Sequence, residues 1–277
     1  MTALGMLLFH IVAGYAVWRM FTTGFSAAAW YSFVVLWIIA MIGVSVGYHR
    51  HATHQSFECH WLVERILYWF AAMAWEGTGI IFGRDHTRHH TFTDLPGDTH
   101  SPKEYGGGFR GFLWSHMGWL IFDAVPVANY QTPLRFRKDP SLIWQKRYYL
   151  PLALSGFALS FFTAGWDGVY LGFLRVVLAW HVTWGVNSLC HMFGTHAVDG
   201  SGHALDTRYA RNFPLHCVLN IFALISGGEF WHGNHHAHQG SAYLGWRWYE
   251  FDPGRWVIQL MEHLRLAWNV RIPQRAG

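Results

Sequence analysis

Residues 2–20 and 22–48 are apolar almost throughout, with Arg19 as their one charged side chain. Each run reaches the ~20 residues that an α-helix needs to cross a bilayer. A second apolar pair follows a hundred residues later, residues 149–166 and 169–186, joined at Gly165, Trp166, Asp167 and Gly168, a combination that favours a tight turn. The pattern predicts an all-α membrane protein with four transmembrane helices, at about 2–20, 24–48, 149–166 and 169–186. Arg175 interrupts the last of these, and a charge at mid-span costs ~2.5–3.5 kcal/mol, so it should snorkel or face the bundle interior. Shorter apolar stretches, 61–82, 109–125 and 213–230, carry glycine, histidine or acidic interruptions and read as interfacial or re-entrant.

Orientation follows from the basic residues. Eleven lie between Arg50 and Arg147 and seven after Asn187, whereas the turns near Gly24 and Asp167 have none. The positive-inside rule then places 49–147 and 187–277 on the cytoplasmic side as a helical cap, with both termini there. No repeat or linker marks a second domain, so residues 1–277 read as one unit.

Composition supports a membrane protein: 52% of residues are apolar, 18% aromatic and only 13% charged. A net charge of +4, scattered through loops, suits anionic lipid and argues against a nucleic-acid face. Cys59, Cys190 and Cys217 are odd in number and far apart, so neither a disulfide framework nor a thiolate zinc site is indicated. The first apolar run has no basic stretch before it and no convincing cleavage site after it, and is expected to be a retained span.

The unusual investment is in histidine, of which there are 20. Three clusters fall on the expected cytoplasmic side: His49 with His54; His86, His89 and His90; and His232, His235 and His236. On a helix, residues three and four apart share a face, so each HxxHH triplet can aim three imidazoles at one region. His191 lies at the matching mouth of the fourth span, with Asn187 one turn earlier. Packing several imidazoles together without a metal costs desolvation and repulsion with nothing to offset either. Imidazole suits zinc, copper, iron and nickel, and nine candidate ligands exceed one coordination sphere, so two ions are implied. The more isolated His10, His60, His181, His216 and His263 read as surface or satisfied core residues.

With these boxes the sequence resembles the membrane-bound fatty-acyl desaturases, above all the stearoyl-CoA desaturase branch, whose histidine boxes read HxxxxH, HxxHH and HxxHH. The likeness extends to GRDHTRHHTFTD, SHMGW around His116, NSLCH ending at His191 and GGEFWHGNHH, so it covers most of the chain. It implies a di-iron centre with dioxygen as co-substrate, ligated by His49, His54, His86, His89, His90, His191, His232, His235 and His236, with Asn187 holding a metal-bound water. It implies a double bond introduced into a fatty acyl chain carried on coenzyme A or another carrier. Hydroxylation, acetylenic bond formation or terminal alkene formation are the outcomes open to relatives with the same boxes. No fused haem domain is present, so electrons should come from a separate donor such as a ferredoxin or a cytochrome b5-like protein. His51, His196 and His238 are extra to the pattern, and Gly227, Gly228 and Trp231 suit packing.

Such an acyl chain must thread from the metals into the bundle, which makes Trp37 and Met41, up the helix from His49, candidates for setting its depth. Arg84, with Arg88 beside it, is a candidate for an anionic head group. Asp85, Asp94, Asp98 and Glu229 can accept from the ligands' other ring nitrogens. A metal transporter would place polar groups at mid-membrane rather than at one face. A zinc hydrolase would need an HExxH motif, which is absent.

Overall fold

The computed structural model describes residues 2–103, 106–122, 130–193 and 213–272, with 213–216 by backbone alone; His196 lies outside the described residues. Helix α1 spans Ala3–Thr22 and α2 Ala27–Ile42, each started by a hydroxyl cap: Thr2 accepts from the Gly5 N–H and Ser26 from that of Ala29. α1 exposes Leu4, Ile11 and Phe21 outward and buries Ala13 and Ala16, the inverse of a soluble amphipathic helix. That distribution suits a hydrocarbon solvent, in which helices meet through small residues.

Beyond α2 the backbone continues as a π-helix, Gly43–Thr53. α3 (Trp61–Ala72) crosses it closely, since a Cβ on Gly43 would stand 2.1 Å from the Ala71 nitrogen and one on Gly47 3.0 Å from the Leu67 carbonyl oxygen. α3 therefore packs its C-terminal half into the bundle while Trp61 and Leu62 stay exposed, and its C-terminal end is buried. Arg175 resolves that end. Both terminal nitrogens of its guanidinium donate to the Met73 carbonyl at 3.2 Å, while the Trp180 indole donates to the Ala74 carbonyl at 2.9 Å. The charge within the fourth apolar run is thus fully buried and meets the negative end of α3.

α4 (Gly79–Phe92) leads into short pieces: α5 (Gly108–Leu113), a π-turn (Trp114–Gly118), α6 (Trp119–Phe122), α7 (Leu134–Lys138) and α8 (Pro140–Arg147). α9 runs from Tyr149 to Met192 but breaks at Ala164 and Gly165, where Gly165 takes φ +59. Its two arms fold back on each other: a Cβ on Gly168 would meet the Ser160 carbonyl at 2.1 Å, and one on Gly156 the Arg175 guanidinium at 3.0 Å. The turn expected at Gly165–Gly168 is this break. Among the described residues, three helices are long and apolar enough to cross a membrane: Ala3–Thr22, Ala27–Thr53 and the broken Tyr149–Met192.

α10 (Phe213–Ser226), α11 (His232–Ala237) and α12 (Pro253–His263) complete the helices. A two-residue antiparallel ribbon, β1 (Glu58–Cys59) with β2 (Ala267–Trp268), pairs Glu58 with Trp268. Arg50 is the keystone of the C-terminal region. Its guanidinium forks onto Asp252 at 2.8 and 3.1 Å and donates to the carbonyls of Gly227 and Ala242, while Asp252 also accepts from the backbone of Leu244, Gly245 and Arg255.

Candidate metal centre

The first histidine box depends on the π-helix. Five residues separate His49 from His54, a spacing that turns the two rings far apart on an α-helix. In the π form the His54 N–H bonds the His49 carbonyl five residues back, at 3.1 Å, and both imidazoles point the same way. α4 needs no such adjustment, because His86, His89 and His90 share one face of an ordinary helix. α11 is only six residues long, so its anchoring comes from side chains: the Trp231 indole donates to the Phe251 carbonyl, and Asn234 to Leu244 and Glu250.

The rings converge in two groups. One joins His49, His54, His86, His90 and His235; the other joins His89, His191, His232 and His236, and within each the ligand atoms lie within 4.8 Å of one another. Nε2 meets Nε2 at 3.1 Å for His49 and His235, 2.8 Å for His90 and His235, 3.0 Å for His54 and His86, and 3.2 Å for both His89–His236 and His191–His232. His90 also faces His86 at 2.9 Å, and His236 faces His232 at 3.2 Å. A neutral imidazole has one N–H, so these shared contacts cannot all be hydrogen bonds; lone pairs face each other across a small space.

That donor set fits a cation. Nitrogens ~2.0–2.1 Å from a common ion are ~2.9–3.0 Å apart at right angles and ~3.3–3.4 Å apart in a tetrahedron, and the close contacts in both groups fall in or close to that range. Burial, and then the neighbouring imidazoles, push His54, His86, His90, His232, His235 and His236 well below the ordinary histidine range, which leaves them neutral and ready to ligate.

Carboxylates stand beside the opposite nitrogen of three of these rings. Glu229 stands 2.5 Å from His49 Nδ1, Asp98 lies 2.9 and 3.0 Å from His89 Nδ1, and Asp94 lies 3.3 Å from His191 Nδ1. Burial alone would raise the Asp98 carboxyl, yet His89 beside it holds it well below the usual range. Asp85 is placed differently, paired with Arg84 at 2.6 Å. The His89 Nδ1–H donates to Asp98, which leaves the Nε2 lone pair of that ring free for metal, while Glu229 and Asp94 stand within ion-pair distance of His49 and His191. Replacing Glu229 with Gln keeps an acceptor for the Ser45 hydroxyl, which lies 2.5 Å away, but removes the charge. Metal affinity is expected to fall ~10–100-fold, read by chelator competition, with the fold retained.

A cavity opens against both groups. Its wall includes His49, His86, His232 and Asn187, and it continues between Trp75, Trp180 and Trp184 toward Met6. Trp37 and Met41 do not line it. The Trp37 indole donates to the Ile225 carbonyl at 3.0 Å, tying α2 to α10, and Met41 is buried where α2 meets Gly227. Arg84 is partly exposed and stands behind Asp85, which does line the cavity, and Arg88 donates to the Gly97 carbonyl. His51 turns away to the Tyr68 hydroxyl, and His238 packs on Trp246.

Three features lie outside the histidine boxes. His100 is buried against His89, with ring centroids 4.4 Å apart, and lines the cavity. His10, His181 and His116 form a hydrogen-bonded chain across α1, α9 and the π-turn, ending on the Ser188 hydroxyl. Glu76 enters the cavity from the turn after α3.

Two clusters of imidazole able to hold metal, with carboxylates beside three of the rings, lie against an apolar cavity in a bundle with membrane-length helices. Residues 5–270 match the family described as fatty acid desaturase. The chain is 34% identical to the sn-2 palmitoyl-lipid 9-desaturase of Nostoc sp. (strain 36), over 84% of this chain and 78% of that one. It is 32% identical to the sn-1 stearoyl-lipid 9-desaturase of Anabaena variabilis, over 90% and 86%. It is also 31% identical to the hex-5-enoyl-[acyl-carrier protein] acetylenase of Moorena producens (strain JHB), over 86% and 75%. The chain belongs to the fatty acid desaturase family and is an oxidoreductase of that kind.

Proposed function

We propose that this protein is a dioxygen-dependent di-iron desaturase, with one iron held by His49, His54, His86, His90 and His235 and the other by His89, His191, His232 and His236. The observation that carries this reading is the pair of Nε2 clusters abutting one cavity. Bound iron would supply, with dioxygen, the oxidant needed to take hydrogen from an unactivated methylene. The protein's own part is positioning. His49, His86 and His232 turn toward the cavity, Asn187 lines the same wall and is the residue to hold a water, and Trp75, Trp180 and Trp184 exclude bulk solvent from an acyl chain.

The two arms of α9 cross the bilayer separately, giving four spans, with the basic segments and the metal centre at the cytoplasmic face. Two observations support this: the antiparallel packing of the arms, and the concentration of basic residues in segments 49–147 and 187–277. Electrons come from a separate small carrier such as a ferredoxin or a cytochrome b5-like protein. The similar 9-desaturases act on lipid-bound chains, which makes carbon nine of a membrane-lipid acyl chain the expected position.

Expression in a host without monounsaturated lipids, followed by mass spectrometry of double-bond position, tests the proposal. A new monounsaturated chain that requires dioxygen is expected. An unchanged lipid profile with the protein present in the membrane would overturn the proposal, and a triple bond or hydroxyl group would redirect it to a relative's chemistry.

A further inference from the structure

Three carboxyls reach the cavity wall: Asp85, Glu229 and Glu76. Asp85 has Arg84 as its counter-ion, and Glu229 has His49 and the more distant Arg50. Glu76 has no cationic partner among the described residues. Its contact is with the Thr183 hydroxyl, at 2.7 Å. That hydroxyl also lies 3.1 Å from the Ala179 carbonyl, one turn back on its own helix. A threonine has one hydroxyl proton, and a carbonyl can only accept. The 2.7 Å contact is closed either by the Thr183 proton or, when that proton goes to Ala179, by one on the Glu76 carboxyl itself.

Surroundings agree with this reading. Tyr48 and Tyr149 flank Glu76 from the adjoining helices, Glu229 faces it, and Asp85 and His100 stand elsewhere on the cavity wall. The Tyr48 hydroxyl donates instead to the Gly77 carbonyl, and the Tyr149 hydroxyl accepts from the Gly77 N–H. Burial pushes the Glu76 carboxyl up to about 8, with Glu229 adding to the rise against the Thr183 bond.

We propose that Glu76 stands protonated in the wall of the acyl cavity and donates a proton to the reaction performed there. The inference rests on the desaturase reading. In that reaction R–CH2–CH2–R′ + O2 + 2 e⁻ + 2 H⁺ gives R–CH=CH–R′ + 2 H2O. Two C–H bonds break and one C=C bond forms. Dioxygen is the oxidant; it takes two electrons from the acyl chain and two from the separate one-electron carrier. Half of the hydrogens in the product waters come from the chain and half from solvent. Glu76 supplies one of the solvent-derived protons by breaking its O–H bond, and the carboxylate is reprotonated before the next turnover.

Glu76→Gln is the test, because an amide keeps a hydrogen bond to Thr183 but has no acidic proton. Infrared spectra of the purified full-length chain, both metal-free and iron-loaded, should show a protonated-carboxyl stretch that fades as pH rises through about 8. The variant should lack that band. With palmitoyl and stearoyl chains on phospholipid and on coenzyme A, the variant should bind iron normally and make the same product roughly 100-fold more slowly, the low end of what a positioned acid contributes. Wild-type turnover should decline as pH rises through about 8, and the variant's should not. Absence of the band at neutral pH, or a variant as fast as wild type, would overturn the proposal. If wild type itself forms no product, the desaturase reading fails and the donor role with it; a null effect confined to the variant removes the donor role alone.

Discussion

His235→Ala is expected to leave the protein in the membrane and to remove its product entirely. The His235 Nε2 lies 3.1 Å from that of His49 and 2.8 Å from that of His90, so it joins the first box to the second within one group of five. Its loss should cost more than the ~10–100-fold typical of a residue that only supports a ligand. The fold should survive, because α11 is anchored by Trp231 and Asn234 rather than by His235. Elemental analysis of the purified variant should find less than two irons per chain, and lipid analysis should find no new unsaturation. A variant retaining both metals and full activity would remove His235 from the ligand set.

Asp252→Ala is expected to have the largest effect on stability. Its carboxylate is fully buried and holds the equally buried Arg50 by two charge-assisted bonds. Truncation strands that cation and also leaves the N–H groups of Leu244, Gly245 and Arg255 without their acceptor. Breaking a buried pair from one side costs ~3–5 kcal/mol, a large part of a typical folding free energy. The variant should fail to accumulate, or should unfold at a much lower temperature in detergent. The double replacement Arg50→Met with Asp252→Leu should recover part of the loss, because no charge is then left unpaired. Equal instability in the single and double variants would show that the backbone acceptors, rather than the ion pair, dominate.

Sequence periodicity carried the reading of the second and third boxes, since three- and four-residue spacings converge on an ordinary helix. The five-residue spacing of His49 and His54 does not, and only the π-helix reconciles it with a shared face. Apolar run lengths gave the membrane-length helices and the turn at Gly165, but not the burial of α3, which depends on how closely Gly43 and Gly47 let it approach. The acids near the boxes could be named in advance. Which of them pairs with which ring could not, because Asp98 returns to His89 only through a loop containing Asp94 at φ +58. Helix geometry alone places Trp37 along the path from His49, and what it could not foresee is the bond that ties the indole to the Ile225 carbonyl of α10. Glu76 and His100 lie in connecting segments without periodicity, where pattern carries no information about what a side chain faces.

The contact between Arg175 and α3 also bears on how the chain is made. A helix carrying an arginine enters lipid at a cost of ~2.5–3.5 kcal/mol if nothing receives the charge. The Met73 carbonyl that receives it here precedes Arg175 by about a hundred positions, so the ribosome has already released the acceptor when the cation emerges. Translation order thus lets the earlier segment serve as a template for inserting the later one.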